Sequence, residues 1–205
     1  STEDRKGCPD SDSDGWSDTG DRFPSDGTQW NDIDGDGYGD NPAPANLPDS
    51  CPTTFGNSDE DRYGCRDSDL DGWSDPDPTA IYATQPWNIS DGADAFDTDS
   101  TQWSDFDYDG YGDNWDDPSW NESRAINGLG VWYVGATQPD ACPTRAGQSF
   151  EDRLGCPDSD GDGWSNPDES WKAENGSDAF PGDSTQWSDR DLDGFGDNSE
   201  GTNPD

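Results

Sequence analysis

The chain contains no histidine. Ser/His/Asp and Cys/His catalytic sets are therefore impossible, and a zinc site is disfavoured because CxxC pairs are missing too. Basic residues are scarce: 10 Lys and Arg stand against 49 Asp and Glu, a formal net charge of -39. A surface of that sign is a poor partner for nucleic acid or an anionic membrane. Hydrophobic residues make up only 25% of the chain, and no segment approaches the roughly 20 apolar residues of a membrane span. A signal peptide is also lacking, as expected of a mature form or an excised part of one. No phosphate-cradling glycine loop appears.

So little apolar surface ordinarily leaves a chain disordered, because burial cannot offset lost chain entropy. Two features oppose that outcome. The chain has 11 Trp, 7 Phe and 6 Tyr, and its acidic residues are periodic. A halophile's acidic surface would scatter Asp and Glu, whereas here Asp dominates and keeps register. Something other than an apolar core must hold the chain, and divalent cations are the natural candidate.

There are five cysteines. Cys51 with Cys65 and Cys142 with Cys156 lie in the same local text, CPTTFGNSDEDRYGC and CPTRAGQSFEDRLGC. The two in-register pairs read as structural disulfides, which implies an oxidising, extracellular compartment. Cys8 matches Cys65 and Cys156, but its expected partner would lie upstream of Ser1.

Internal repeats organise the whole sequence. STEDRKGCPDSDSDGWSD at Ser1 recurs as SDEDRYGCRDSDLDGWSD at Ser58 and SFEDRLGCPDSDGDGWSN at Ser149. Each copy continues, after a variable insert, into a second block: DRFPSDGTQWNDIDGDGYGDN from Asp21, DAFDTDSTQWSDFDYDGYGDN from Asp94, and DAFPGDSTQWSDRDLDGFGDN from Asp178. Three calcium-binding repeats are expected, at 1–57, 58–148 (with long inserts) and 149–205. Length differences fall between blocks, as loops do on a repeating framework. The ends imply a piece of a longer array, or a head-to-tail junction with copies of itself.

Six segments share D-x-D-x-D-G-aromatic-x-D/N. They are Asp10/Asp12/Asp14 with Asp18, Asp32/Asp34/Asp36 with Asp40, Asp67/Asp69/Asp71 with Asp75, Asp105/Asp107/Asp109 with Asp113, Asp158/Asp160/Asp162 with Asn166, and Asp189/Asp191/Asp193 with Asp197. Calcium takes six to eight oxygen ligands, and carboxylates at loop positions 1, 3 and 5 wrap three of them round one ion. Glycine at position 6 permits the turn that aims the next carbonyl inward, from Trp16, Tyr38, Trp73, Tyr111, Trp164 or Phe195. A merely solvated acidic run would need neither the fixed glycine nor the fixed aromatic. Helical EF-hands are excluded by flanks without apolar 3.6-residue periodicity and by position 12, which reads Asp21, Ala43, Pro78, Asp116, Glu169 and Glu200. The second blocks add Asp21 and Asp26, Asp94 and Asp99, Asp178 and Asp183, expected to bridge ions or complete shells. At least six calcium ions are implied, and about twelve if carboxylates are shared.

CPDSDSDGWSD with NDIDGDGYGDN and a recurrent Cys resembles the thrombospondin type 3 repeat, in its microbial secreted form with DAFP-type blocks. The resemblance covers nearly all of the chain except the inserts. It implies mostly irregular coil with little regular secondary structure, wrapped round a string of calcium ions and stapled by disulfides.

Trp16, Trp73 and Trp164 correspond, as do Trp30, Trp103 and Trp187 and Phe23, Phe96 and Phe180; stacked clusters are expected, with saccharide platforms as the alternative. In the insert at 125–138, VWYV has strand-like composition, so short strands are expected in the middle inserts. Sequons at Asn88, Asn121 and Asn175 all fall in inserts, where a glycan could be accommodated. The sequence thus reads as a non-enzymatic, extracellular calcium-binding structural protein, a rigid stalk or the subunit of a surface filament. The alternative is a calcium-stabilised adhesion or carbohydrate-binding module with a glycan or surface receptor as partner.

Overall fold

The computed structural model describes residues 1–81 and 85–204, with residues 125–127 described by backbone alone. Most of the chain is turn, bend and coil, as a sequence rich in Asp, Gly, Ser and Pro dictates. Among the described residues the only α-helix is α1, Asn121–Asn127. It lies in the insert after the second block of the middle repeat, a helix that sequence periodicity did not announce. Asp117 starts the preceding 3-10 turn by accepting from the Ser119 amide, and Gly128 at φ 64° ends α1. Two further single 3-10 turns, Ile89–Asp91 and Ala173–Asn175, occupy the other inserts.

The strand-like VWYV segment makes one isolated parallel bridge, Trp115 with Trp132, rather than a sheet. The remaining pairings are also single bridges, such as Gly39 with Pro48 and Gly112 with Pro139. Apolar burial is correspondingly thin. Among the described residues the buried apolar ones are the four paired cysteines, Ala93, Trp115 and Ala136, while the most deeply buried polar side chains include Gln29, Gln102, Gln186, Asp94 and Asp178. Polar groups form the interior, and each needs a partner there.

Gln29 shows how one is satisfied. Its Oε1 accepts from the Asn41 amide at 2.9 Å, and its Nε2 donates to the carbonyls of Asn41 and Asn46 at 3.2 and 3.0 Å. Gln186 repeats the clamp on Asn198 and Thr202. Between the two halves of each repeat, indoles stack: Trp16 on Trp30, Trp73 on Trp103 and Trp164 on Trp187, with centroids 6.4, 6.1 and 6.3 Å apart and planes within 12°. The corresponding tryptophans therefore pack against each other as expected, each covering a face of its partner.

Both cysteine pairs are disulfides, Cys51–Cys65 and Cys142–Cys156, and Cys8 is free. The chain divides into two compact units, Ser1–Trp103 and Ser104–Asp205. This division does not follow the sequence repeats. In each unit the second loop of one repeat packs against the disulfide-bonded segment that leads into the next: the Gly56 amide donates to Asp36 Oδ2 at 3.1 Å, and the Gly147 amide to Asp109 Oδ2 at 2.9 Å. Among the described residues, no helix is long and apolar enough to cross a membrane.

Candidate metal centres

Each Asp-rich segment folds into the same small loop, held by its own carboxylates. In five of the loops the position 1 carboxylate accepts from the backbone amide of the glycine at position 6, as Asp67 Oδ2 does from Gly72 at 2.9 Å, Asp105 Oδ2 from Gly110 at 2.9 Å and Asp158 Oδ2 from Gly163 at 2.8 Å. Position 5 accepts from the aromatic at position 7, at 2.7–2.9 Å in all six loops. Position 9 accepts from the amide at position 2, as Asp18 does from Ser11 at 2.7 Å and Asp75 from Ser68 at 2.9 Å. The turn requires a left-handed residue at position 6, and Gly72 sits at φ 98°. Position 4 is left-handed too, occupied by Gly35 and Gly161 but also by Leu70 and Tyr108.

With those bonds made, specific oxygens are left over. In at least five loops one ligand-capable oxygen from each of positions 1, 3 and 5 comes within 4.8 Å of the others, among them Asp10/12/14, Asp32/34/36, Asp67/69/71, Asp105/107/109 and Asp158/160/162. Asp12 Oδ2, Asp34 Oδ2, both oxygens of Asp69 and of Asp107, and Asp160 Oδ2 are buried without a hydrogen-bond donor. So are Asp14 Oδ2, Asp71 Oδ2 and Asp162 Oδ2. Among the described residues no amide or side chain donates to the carbonyls of the aromatics at position 7. Asp189, Asp191 and Asp193 keep the same internal hydrogen bonds in a more exposed loop.

The structure adds a fourth carboxylate to five loops, and here it goes beyond sequence reasoning. In every case the carbonyl at position 8 accepts from the backbone amide of an aspartate: Ser17 from Asp21 (2.9 Å), Gly39 from Asp49 (2.9 Å), Ser74 from Asp94 (3.0 Å), Gly112 from Asp140 (2.8 Å) and Ser165 from Asp178 (2.9 Å). Only Asp21 stands at position 12 of its loop in the sequence. Elsewhere the intervening residues loop out and the chain returns to the same place. Asp77 and Trp87 exchange two backbone bonds at the base of one such insert, 2.8 and 2.9 Å long. Asp21, Asp94 and Asp178 were expected as shell residues; Asp49 and Asp140 were not. Their signal was available in the shared text PDSCP and PDACP, directly before a disulfide cysteine.

Each fourth aspartate is oriented by its own turn. Oδ1 accepts from the amide two residues on, at 2.6–2.7 Å for Asp21, Asp49, Asp94, Asp140 and Asp178. In the last four, Oδ2 is buried and unpartnered. Asp94, Asp140 and Asp178 are at most 1% exposed. Burial pushes the Asp94 and Asp140 carboxyls up to about 8 and those of Asp49 and Asp178 up to about 7, and the neighbouring loop aspartates push in the same direction. Ionising four such carboxylates together is prohibitive without a compensating cation. Glycines make room for two of them. A Cβ on Gly64 would lie 2.4 Å from Asp49 Oδ1, and one on Gly155 would lie 2.2 Å from Asp140 Oδ1.

The donor set is entirely oxygen, three loop carboxylates with a fourth and a free carbonyl, which fits a hard cation of the calcium type. The disulfides lock this arrangement. Cys51 and Cys142 follow Asp49 and Asp140 by two residues, and Cys65 and Cys156 precede Asp67 and Asp158 by two, so each bridge joins a closing carboxylate to the start of the next loop.

The second set of expected bridging residues has a different local task. Asp26, Asp99 and Asp183 each accept from the hydroxyl and amide of a threonine two residues on, with hydroxyl distances of 2.6, 2.7 and 2.7 Å. One oxygen of each thus caps a turn. At the sequons, Asn88 is half-buried and its Nδ2 donates to Asp91 at 3.0 Å, whereas Asn121 and Asn175 are exposed. Asn121 Oδ1 accepts from Trp115 Nε1 at 2.7 Å.

No protein-family model matches the chain, and no curated protein matches it significantly. The likeness to the thrombospondin type 3 repeat rests on the sequence motifs alone.

Proposed function

We propose that this is a non-enzymatic, calcium-binding structural protein of the extracellular space, built on thrombospondin type 3-like repeats, with calcium ions taking the place of an apolar core. One observation carries the reading: buried carboxylate oxygens without donors gather at five loops, each closed by a fourth aspartate on the same backbone hydrogen bond. A divalent cation is the group that satisfies them all. The two disulfides agree with an oxidising compartment. In such a setting the protein serves as a stalk or as the subunit of a surface filament made from copies of itself.

The test is a calcium titration of chelator-treated protein, followed by calorimetry and circular dichroism. Binding of several ions per chain with recovery of a structured near-ultraviolet spectrum supports the proposal. A chelated chain with unchanged spectrum and unchanged protease resistance would falsify it. Affinities on the order of 0.1–1 mM are expected, as for other extracellular modules.

The adhesion reading has one observation in its favour. Val131, Trp132, Tyr133 and Val134 are 44, 50, 39 and 72% exposed, an apolar run in an otherwise polar chain. Replacing these four by serine discriminates the two roles. Assembly is lost if the run joins copies of the chain, and surface attachment alone is lost if it meets a receptor.

A further inference from the structure

The triplet E-D-R stands just before the first, third and fifth loops, at 3–5, 60–62 and 151–153, outside the D-x-D-x-D-G motif. Its aspartate reaches the serine at position 8 of the loop, 13 residues on. Asp4 accepts from the Ser17 amide and hydroxyl at 2.8 and 2.6 Å, Asp61 from those of Ser74 at 2.9 and 2.6 Å, and Asp152 from those of Ser165 at 2.8 and 2.6 Å. The three serines are at most 1% exposed, so each amide needs an acceptor within the fold. In the third and fifth loops the insert completes the arrangement. Trp87 Nε1 donates to Asp61 Oδ2 and Trp171 Nε1 to Asp152 Oδ2, both at 3.0 Å. Arg62 and Arg153 lie over those indoles, 4.9 and 5.8 Å from the ring centroids, and their Nε atoms donate to the serine hydroxyls at 3.1 and 3.0 Å. Both oxygens of Asp61 and of Asp152 are thus engaged by donors, unlike the buried oxygens left over within the loops.

The peptide joining positions 7 and 8 carries the effect to the candidate metal centre. A trans peptide is planar and points its carbonyl away from its own amide hydrogen. Holding the Ser74 amide therefore fixes the direction of the Trp73 carbonyl, and holding the Ser165 amide fixes that of Trp164. The carbonyl one residue earlier is anchored as well. Gly72 accepts from the Asp59 and Glu60 amides at 2.9 and 3.0 Å, and Gly163 from the Phe150 and Glu151 amides at 2.8 and 2.9 Å. The second, fourth and sixth loops have glycine at position 8 instead. A Cβ on Gly39 would lie 2.2 Å from Gln29 Oε1, and one on Gly196 2.0 Å from Gln186 Oε1, so these two back onto the buried glutamine clamps.

We propose that Asp61 and Asp152 are positioning residues for the third and fifth metal centres, fixing the carbonyls of Trp73 and Trp164 as calcium ligands. The inference rests on the metal-binding reading above. Neither aspartate supplies a ligand atom. Each aims one through the serine amide, and each is itself held by an indole from the insert.

Calorimetry of the full chain tests this, together with the carbonyl carbon shifts of Trp73 and Trp164 followed by nuclear magnetic resonance as calcium is added. In the parent both carbonyl carbons are expected to move downfield at saturation, because a bound cation polarises the C=O bond. In Asp61→Ala the affinity for one ion is expected to fall about fivefold, the factor that one net hydrogen bond supplies. The Trp73 shift is expected to shrink while the Trp164 shift stays. Asp61→Asn leaves an acceptor for the Ser74 amide and is expected to restore most of both. Asp152→Ala should give the mirror result at Trp164, and it decides the matter if Asp61→Ala does not fold. An unchanged Trp73 shift and unchanged affinity in Asp61→Ala overturn the proposal. So do equal losses at Trp73 and Trp164, which mark general support of the fold, and calcium uptake by the parent without a carbonyl shift. A parent chain that takes up no calcium defeats the metal-binding reading itself, a result distinct from these.

Discussion

At Asp94 the two carboxylate oxygens have separate fates. Oδ1 is held by the Phe96 amide at 2.7 Å, and Oδ2 is buried with no donor. A side chain so divided is costly in a metal-free fold and valuable in a loaded one. Asp94→Asn is expected to weaken one calcium site by on the order of tenfold or more, because a formal charge is lost from the shell. The same change should raise the melting temperature in excess chelator, where it removes repulsion. Calorimetry and thermal melts read the two opposite effects. A second residue-scale consequence concerns Leu70, which is left-handed at φ 69° and 72% exposed. Leu70→Gly is expected to stabilise the calcium-loaded protein by up to about 1 kcal/mol, since the strain of a Cβ there is relieved and little packing is lost. Gly35 and Gly161 already hold this position in two other loops.

Loops, inserts and disulfides differ in how openly the sequence displays them. Within a loop, every bond from position 1 to position 9 joins neighbours in the chain, so the motif D-x-D-x-D-G-aromatic-x-D announces it. The closing carboxylate does not obey a spacing. Position 12 appeared irregular because Ala43 and Pro78 stand there, while the work passes to Asp49 and Asp94 after the chain has looped out and returned. Helix α1 was missed for a related reason: seven residues set by a local cap and a terminal glycine leave too little periodicity to recognise. If inserts are only excursions, replacing residues 76–93 by Thr-Gly, copying the short connection Thr19-Gly20, should leave the number of bound ions unchanged by calorimetry. Loss of an ion would mean that the insert supplies a ligand. Removing a bridge acts differently. Cys142→Ser with Cys156→Ser is expected to cost about 3 kcal/mol for a loop of this length and to raise the calcium needed for order. Chemical denaturation at several calcium concentrations measures both.

For the molecule as a whole, with a net charge of -39 and so thin an apolar interior, the proposed calcium binding predicts that cation binding and folding are one process. Chelation is expected to enlarge the hydrodynamic radius and to abolish slow-exchanging amides, and 1 M sodium chloride should only partly reverse the expansion, because screening reduces repulsion without filling any shell. Light scattering follows the first effect and hydrogen exchange the second. The sequence by itself determined the repeats, the six loops, the disulfide pairs and the scarcity of helix and strand, since each depends on residues close together in the chain or on composition. Only the tertiary structure decided which distant aspartate closes each loop, where the inserts depart and rejoin, and that Arg124 is buried against Trp115 and Trp120. Those outcomes follow from the backbone bond at position 8, which can be met across an insert of any length.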